Sequence, residues 1–201
     1  MTGASSGATR IGSTAPQALE FFAGIGLARL GLEEAGFHVA WSNDIDHAKC
    51  QMYRNQFGNN EQEHTLIEGD MGELHGSDLP HDISIAWGSS PCTDISLAGT
   101  RTGLNGKQSS AFWQYIRLLE EMGNNRPPVA VLENVAGLAT SHSGEDIAAA
   151  VSAFNQLGYS VDALSIDARR FVPQSRPRLF LVGLTNPPEG SQANSPLRPD
   201  W

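Results

Sequence analysis

The sequence predicts an α/β fold, a mostly parallel seven-stranded sheet with helices on both faces, and three observations carry that prediction. Seven short apolar runs alternate with amphipathic segments along the chain. The runs are apolar nearly throughout instead of alternating in polarity, the pattern of strands covered on both sides. Apolar residues make up 40% of the chain and charged ones 17%, a balance that builds a core and excludes a disordered polymer.

The expected strands are 18–22, 38–42, 65–68, 83–88, 129–133, 160–166 and 178–184, and the expected helices lie near 26–36, 46–57, 110–123 and 144–157. In the first helix Leu27, Leu30 and Ala35 fall at helical spacing, and Gly36 closes it. The fourth opens at Ser143-Gly-Glu-Asp, repeats Ile147, Val151, Phe154 and Leu157 on one face, and ends at Gly158. Residues 89–110 break the rhythm with no helix or strand pattern. Loops of that length inside a compact domain are usually functional, so this one is expected to be an active-site loop.

Residues 1–16 are mostly Ser, Gly, Ala and Thr and lack the apolar core of a signal peptide, so a flexible tail is expected there. Residues 17–186 form the expected cofactor-binding catalytic domain. Residues 187–201, rich in Pro, Ser and Asn, read as a linker or truncated edge. No run approaches the roughly 18 apolar residues that span a bilayer. The two cysteines, Cys50 and Cys92, form no CxxC pair, which argues against a zinc site or a disulfide framework and suits a reducing cytoplasm.

The net charge of −9 is unevenly spread. Residues 20–82 hold three cations, Arg29, Lys49 and Arg54, against twelve acids, so the rest of the chain is neutral overall. Residues 98–117 carry Arg101, Lys107 and Arg117 without an acid, and residues 163–188 carry Arg169, Arg170, Arg176 and Arg178 against Asp167. Phosphate contacts need local cations, not a basic protein. Charge alone does not separate these patches from ordinary solvated faces.

Glu20-Phe-Phe-Ala-Gly-Ile-Gly26 is a strand running into a Gly-x-Gly turn that opens a helix, with Phe22, Ala23, Gly24 and Gly26 set to approach a ligand at the strand's carboxyl edge. A dinucleotide fingerprint wants a third glycine where Arg29 stands, so a phosphate cradle fits poorly. An adenosyl ligand asks less of the loop. Asp44, at the end of the second strand, can accept both ribose hydroxyls, with Ile45 against the adenine. Asp70 and Met71 follow the third strand and can meet the adenine edge.

Gly88-Ser-Ser-Pro91-Cys92 places a cysteine just past the fourth strand, where open α/β sheets keep their sites. Pro91 fixes φ and restricts Ser90, which sets the thiol's angle. Cys50, on a helix, reads as a small buried hydrophobe. Val129-Ala-Val-Leu-Glu133-Asn134 is an apolar strand ending in a carboxylate, which there needs a raised pKa or a fixed partner. Pro173-Gln174-Ser-Arg176-Pro-Arg178 precedes the last strand with two alternate arginines fit for forked contacts.

Phe-Ala-Gly-Ile-Gly, Pro-Cys, Glu-Asn-Val and Gln-x-Arg-x-Arg, in this order, resemble the catalytic motifs of DNA cytosine-5 methyltransferases. The resemblance runs from about Ala18 to Leu184. It implies a Rossmann-like S-adenosylmethionine-dependent methyltransferase fold, S-adenosylmethionine as cofactor with S-adenosylhomocysteine as product, and double-stranded DNA as partner. It further implies that the Cys92 thiolate attacks carbon 6 of cytosine while Glu133 engages ring nitrogen 3, making carbon 5 nucleophilic toward the methyl group. Arg178 would hold the base carbonyl, Arg176 and Asn134 would support the site, and the base would be flipped out of the duplex. The 89–110 loop would close over it.

The chain departs from the family with Thr93 for Gln, Gly26-Leu27 for Gly-Gly, and Glu20 for Asp. The family also continues past the arginine motif with a target-recognition region and two further motifs, the last a helix packing on the cofactor side. A truncated product, or one subunit of a split enzyme whose second polypeptide brings DNA recognition, is therefore expected, with little activity alone. The bacterial or phage-type resemblance goes with a cytoplasmic location. Rival readings are a non-catalytic subunit, which the intact Cys92, Glu133 and arginines disfavour, and an NAD-type oxidoreductase, which the poor fingerprint disfavours. The tRNA-methylating branch carries a Cys-Phe-Thr signature that this chain lacks, since no cysteine follows Cys92.

Overall fold

The computed structural model describes residues 15–58, 63–91 and 111–189. The tail at 1–14, residues 92–110 with the expected active-site loop and Cys92, and the edge at 190–201 lie outside the described residues. Strands β1 (Gln17–Phe21), β2 (His38–Asp44), β3 (Thr65–Glu68), β4 (Ile83–Ser89), β5 (Val129–Val135), β6 (Ser160–Asp167) and β7 (Pro177–Leu184) build one sheet in the order β3-β2-β1-β4-β5-β7-β6. The first five strands run parallel, while β7 lies antiparallel between β5 and β6. The seven-stranded, mostly parallel sheet is as the sequence predicts. Its antiparallel member follows from the short 168–176 connection, which folds β7 straight back along β6 because no crossover helix intervenes.

Parallel order brings the carboxyl ends of β1, β2, β4 and β5 to one edge of the sheet. Phe21 stands beside Gly88, and Ser89 beside Glu133. The antiparallel β7 delivers its first residues to that same edge, where Arg178 pairs with Val135. Every motif singled out in the sequence therefore arrives at, or departs from, one rim.

Side chains alternate across each strand. Leu19, Phe21, Ala86, Leu132 and Leu181 face helices α3 (Ala111–Glu121) and α4 (Glu145–Gln156), whose Phe112, Tyr115, Ile116, Ile147, Ala150 and Phe154 complete the larger core. Ala18, Val39, Ile85 and Val131 face the other way with Leu32 of α1 (Leu27–Glu34), in a smaller cluster edged by half-buried Trp87, Val129, Phe180 and Val182. Helix α2 (His47–Phe57) starts at Asp46, whose carboxylate accepts from the Ala48 and Lys49 amides.

The expected apolar face of α1 is corrected. Leu27 is 69% exposed, Leu30 is 47% exposed and Ala35 is exposed, while Arg29 and Leu32 point inward. A buried polar network turns the helix. Glu20, fully buried on β1, accepts from the Arg29 amide and from the hydroxyls of Ser42 and Tyr53. The Arg29 guanidinium lies 4.3 Å over the Phe57 ring and reaches Glu33 at 2.7 Å. Hydropathy spacing ranks arginine as outward-facing and cannot register a carboxylate waiting behind it.

The first basic patch is also corrected at Arg117. Its guanidinium donates to Gln114, Glu121 and the carbonyls of Met71 and Leu74, so it ties α3 to the segment after β3 instead of awaiting a phosphate. In the second patch Arg169 pairs with Asp167 and Arg178 with Glu133.

Candidate active site

The turn after β1 is held by its neighbours. Phe22 takes a positive φ of 57°, the Ala23 amide donates to Asn43 O, and the Gly24 amide donates to Asp44 Oδ2 at 2.7 Å. The other Asp44 oxygen accepts from the Asp46 amide at 2.8 Å. Asp44 is thus a clamp joining the β1 and β2 turns, yet each carboxylate oxygen keeps a lone pair for a ligand hydroxyl. Gly26 is placed differently. A Cβ there would lie 2.3 Å from the Phe57 ring, so this glycine faces α2 and lines neither cavity described next, among the described residues.

Two cavities meet along the rim. One, of about 470 Å³, is walled by Phe22, Gly24, Asp44, Ile45, Asp70, Met71 and Pro91. Ile45 stands 69% exposed at its lip, and Met71 is buried in its floor. The other, of about 570 Å³, is walled by Phe22, Ala23, Gly24, Trp87, Glu133, Arg176, Arg178 and Phe180. Phe22, Gly24, Lys49 and Ser89 border both.

In the second cavity Glu133 Oε1 lies 2.8 Å from Arg178 Nε, with both side chains about one-fifth exposed. This is the fixed partner that a carboxylate at the end of an apolar strand needs. Asn134 is buried behind it and donates to Ser90 Oγ at 2.9 Å, so it acts through the residue before Pro91. The Arg176 amide, the Ser175 hydroxyl and the Arg169 amide all converge on Asp167, which shapes the loop carrying the two arginines. Those bonds, led by the Arg169 amide, hold the Asp167 carboxyl below the usual range.

Among the described residues, the expected site residues therefore line one rim except Gly26, which faces α2, and Asn134, which is buried against Ser90. Cys92 lies outside the described residues, one position past Pro91 in the first cavity's wall. Cys50 is fully buried with its thiol donating to Asp44 O, and burial, then the nearby Asp44 charge, pushes its pKa up. A thiol in that state is inert. Lys49 and Trp87 line the cavities without having been singled out in the sequence, whereas Ser89 opens the 89–110 segment expected to be functional. The only signal for Lys49 was its place in the first turn of a helix beginning at the rim.

Beneath the turn, burial raises the Glu20 pKa against the pull of its hydrogen bonds from Ser42, Tyr53 and Arg29. His64 stacks on Tyr53, and burial, then the Arg29 charge, pushes it down to about 4. Neutral imidazole is the form that fits this pocket at neutral pH.

With this geometry in place, the comparisons with known proteins are specific. A family model described as C-5 cytosine-specific DNA methylase matches residues 17–198. The chain belongs to this family. It is 32% identical over 175 residues to the Type II methyltransferase M.NgoFVII of Neisseria gonorrhoeae, covering 86% of this chain and 44% of that protein. It is 29% identical over 170 residues to the Type II methyltransferase M.HhaI of Haemophilus parahaemolyticus, covering 84% of this chain and 49% of that one. This family member thus spans about half the length of the curated relatives it matches. Its fold is similar to that of the S. pombe Dnmt2 methyltransferase, with a TM-score of 0.68 at 23% identity over 87% of this chain and 52% of that one. No helix among the described residues is long and apolar enough to cross a membrane.

Proposed function

We propose that this chain is the cofactor-binding and chemical half of a DNA cytosine-5 methyltransferase. The observation that carries the proposal is the Glu133–Arg178 pair, fixed at 2.8 Å on the wall of a cavity that opens into the one bordered by Asp44, Ile45, Asp70 and Met71.

The smaller cavity fits an adenosyl group: free lone pairs on Asp44 for ribose hydroxyls, apolar Ile45 and Met71 for the two faces of a purine, and Asp70 at its edge. S-adenosylmethionine, when bound, supplies an electrophilic methyl group on a sulfonium. The chain's residues prepare the other reactant. Carbon 5 of cytosine is a poor nucleophile until a thiolate adds to carbon 6, and Cys92, which follows Pro91 in the sequence, is the thiol assigned to that step. Glu133 holds or protonates ring nitrogen 3 as that bond forms, taking up the negative charge that develops on the ring. Arg178 keeps the carboxylate oriented and turns its remaining N–H groups toward the carbonyl at carbon 2. Asn134 and Arg176 support the walls. The carbon-5 proton then leaves to a base, the Cys92–carbon 6 bond breaks to restore the thiolate, and the proton given to nitrogen 3 returns to Glu133. A cavity of this size at a sheet rim receives the base only after it has flipped from the stack.

A partner or additional polypeptide segment supplies target recognition in this proposal. It is supported by the exposed Leu27, which lines the larger cavity with half-buried Trp87 and Phe180, an apolar margin that a second element would cover.

The test is covalent trapping. Duplex containing 5-fluorocytosine lacks the proton whose loss releases the enzyme. With S-adenosylmethionine and the target-recognition partner present, it is expected to leave a stable adduct on Cys92. An adduct that survives Cys92→Ala, or methylation found on the exocyclic nitrogen, overturns the proposal.

A further inference from the structure

We propose that the Lys49 ammonium binds the amino-acid carboxylate of the adenosyl cofactor; this rests on the cofactor assignment above and adds a contact that the motifs do not contain. Lys49 leaves the first turn of α2 and borders both cavities, one of four residues at their junction with Phe22, Gly24 and Ser89. Among the described residues lining the smaller cavity it is the only cation, and it stands there with Asp44 and Asp70.

The position matters because of how an adenosyl amino acid must lie. With ribose at Asp44 and the purine over Ile45, an amino-acid tail directed into the larger cavity would cross the junction that Phe22, Gly24, Lys49 and Ser89 border. A carboxylate entering a passage bordered by Asp44, Asp70 and Glu133 needs a counter-charge. Arg178 is already committed to Glu133. Arg176 lies at the β7 side of the rim, with β1, β4 and β5 between it and β2. Lys49 sits on the ribose side. Its one ion-pair contact among the described residues, 3.5 Å to Asp46 Oδ2, joins two side chains that are each about half exposed, the kind of pair that holds an ammonium weakly. Its flexible stem can therefore release Asp46 and reach the ligand at small cost.

The experiment compares ligands with and without the carboxylate. S-adenosylhomocysteine and 5′-methylthioadenosine are titrated calorimetrically into the wild-type chain, Lys49→Met and Lys49→Arg. Lys49→Met is expected to lose about tenfold in affinity for adenosylhomocysteine, as removal of one charge-assisted contact does, and to bind methylthioadenosine unchanged. Lys49→Arg should keep most of the adenosylhomocysteine affinity. Equal losses for both ligands would place Lys49 at the ribose and overturn the proposal, as would unchanged affinity for both. A wild-type chain that binds neither ligand would instead overturn the cofactor assignment, and this inference with it.

Discussion

Replacing Gly26 by alanine tests how the cofactor loop is built. Gly26 sits at φ 85°, and a Cβ there would lie 2.3 Å from Phe57 Cε2, 2.9 Å from Phe57 Cζ and 2.9 Å from Tyr53 Cε2. Left-handed backbone costs an alanine about 1–2 kcal/mol. The clash has to be relieved by moving Phe57, which carries the Arg29 guanidinium 4.3 Å above it and packs on Tyr53 at 4.7 Å. Overpacking of that kind adds about 1–3 kcal/mol. The stiffer unfolded chain returns about 0.4–1 kcal/mol. The net expectation is a loss of about 2–4 kcal/mol, a large share of a typical domain's total. Gly24→Ala supplies the comparison, because Gly24 has a similar φ of 57° and no atom within 4 Å of its Cβ position. Only the backbone term applies there, about 1 kcal/mol. The assay is urea unfolding of both variants without cofactor, followed by Gly26→Ala in a Phe57→Ala background, where the two Phe57 contacts are gone, only the Tyr53 contact remains, and the two costs should add only in part. Equal midpoints for the two glycine variants, or full additivity with Phe57→Ala, would show that the helix does not depend on close approach at Gly26.

Two further expectations follow from the rim and from the network beneath it. Glu133→Gln and Arg178→Lys should each lower methylation by about 100- to 10,000-fold while leaving adenosylhomocysteine affinity within about twofold; a matching fall in cofactor affinity would count against roles on the base. His64, held near 4 when folded against 6.5 when free, binds its proton better in the unfolded chain, so its contribution is present above pH 6.5 and is lost as pH falls toward 4. After screening of a partly exposed ring this amounts to about 1–2 kcal/mol, read as the difference in acid unfolding between wild type and His64→Gln. Glu20 acts in the opposite sense, since its raised pKa removes stability as pH rises through it, so a slope that His64→Gln leaves unchanged would assign the acid response elsewhere.

The inner strands were legible because covered strands are largely apolar runs, whereas β3 and β6 stand at the sheet's edges with much of their length exposed; each of the seven formed within about two residues of its expected bounds. The gathering of Asp44, Asp70, Glu133 and Arg178 at one rim was legible because each stands at or just past a strand end or start, and a parallel sheet collects its carboxyl ends at one rim. The inward turn of Arg29, the outward turn of Leu27 and Leu30, and the internal employment of Arg117 were not legible. The arginines depend on partners far away in the chain, such as Tyr53 for Arg29 and the Met71 carbonyl for Arg117, that no local period records.

Order along the chain thus determined which chemistry is proposed for this protein: a cysteine after one strand, a carboxylate ending another and arginines opening a third. Tertiary structure alone decided that Glu133 and Arg178 form a pair, that Asp44 holds the glycine turn as well as facing a cavity, and that Lys49 borders both chambers. The physical reason is one of range. Apolar periodicity and turn chemistry act over a few residues and survive in the sequence. A hydrogen bond or ion pair acts over about 3 Å of space and joins whatever residues the sheet order has made neighbours.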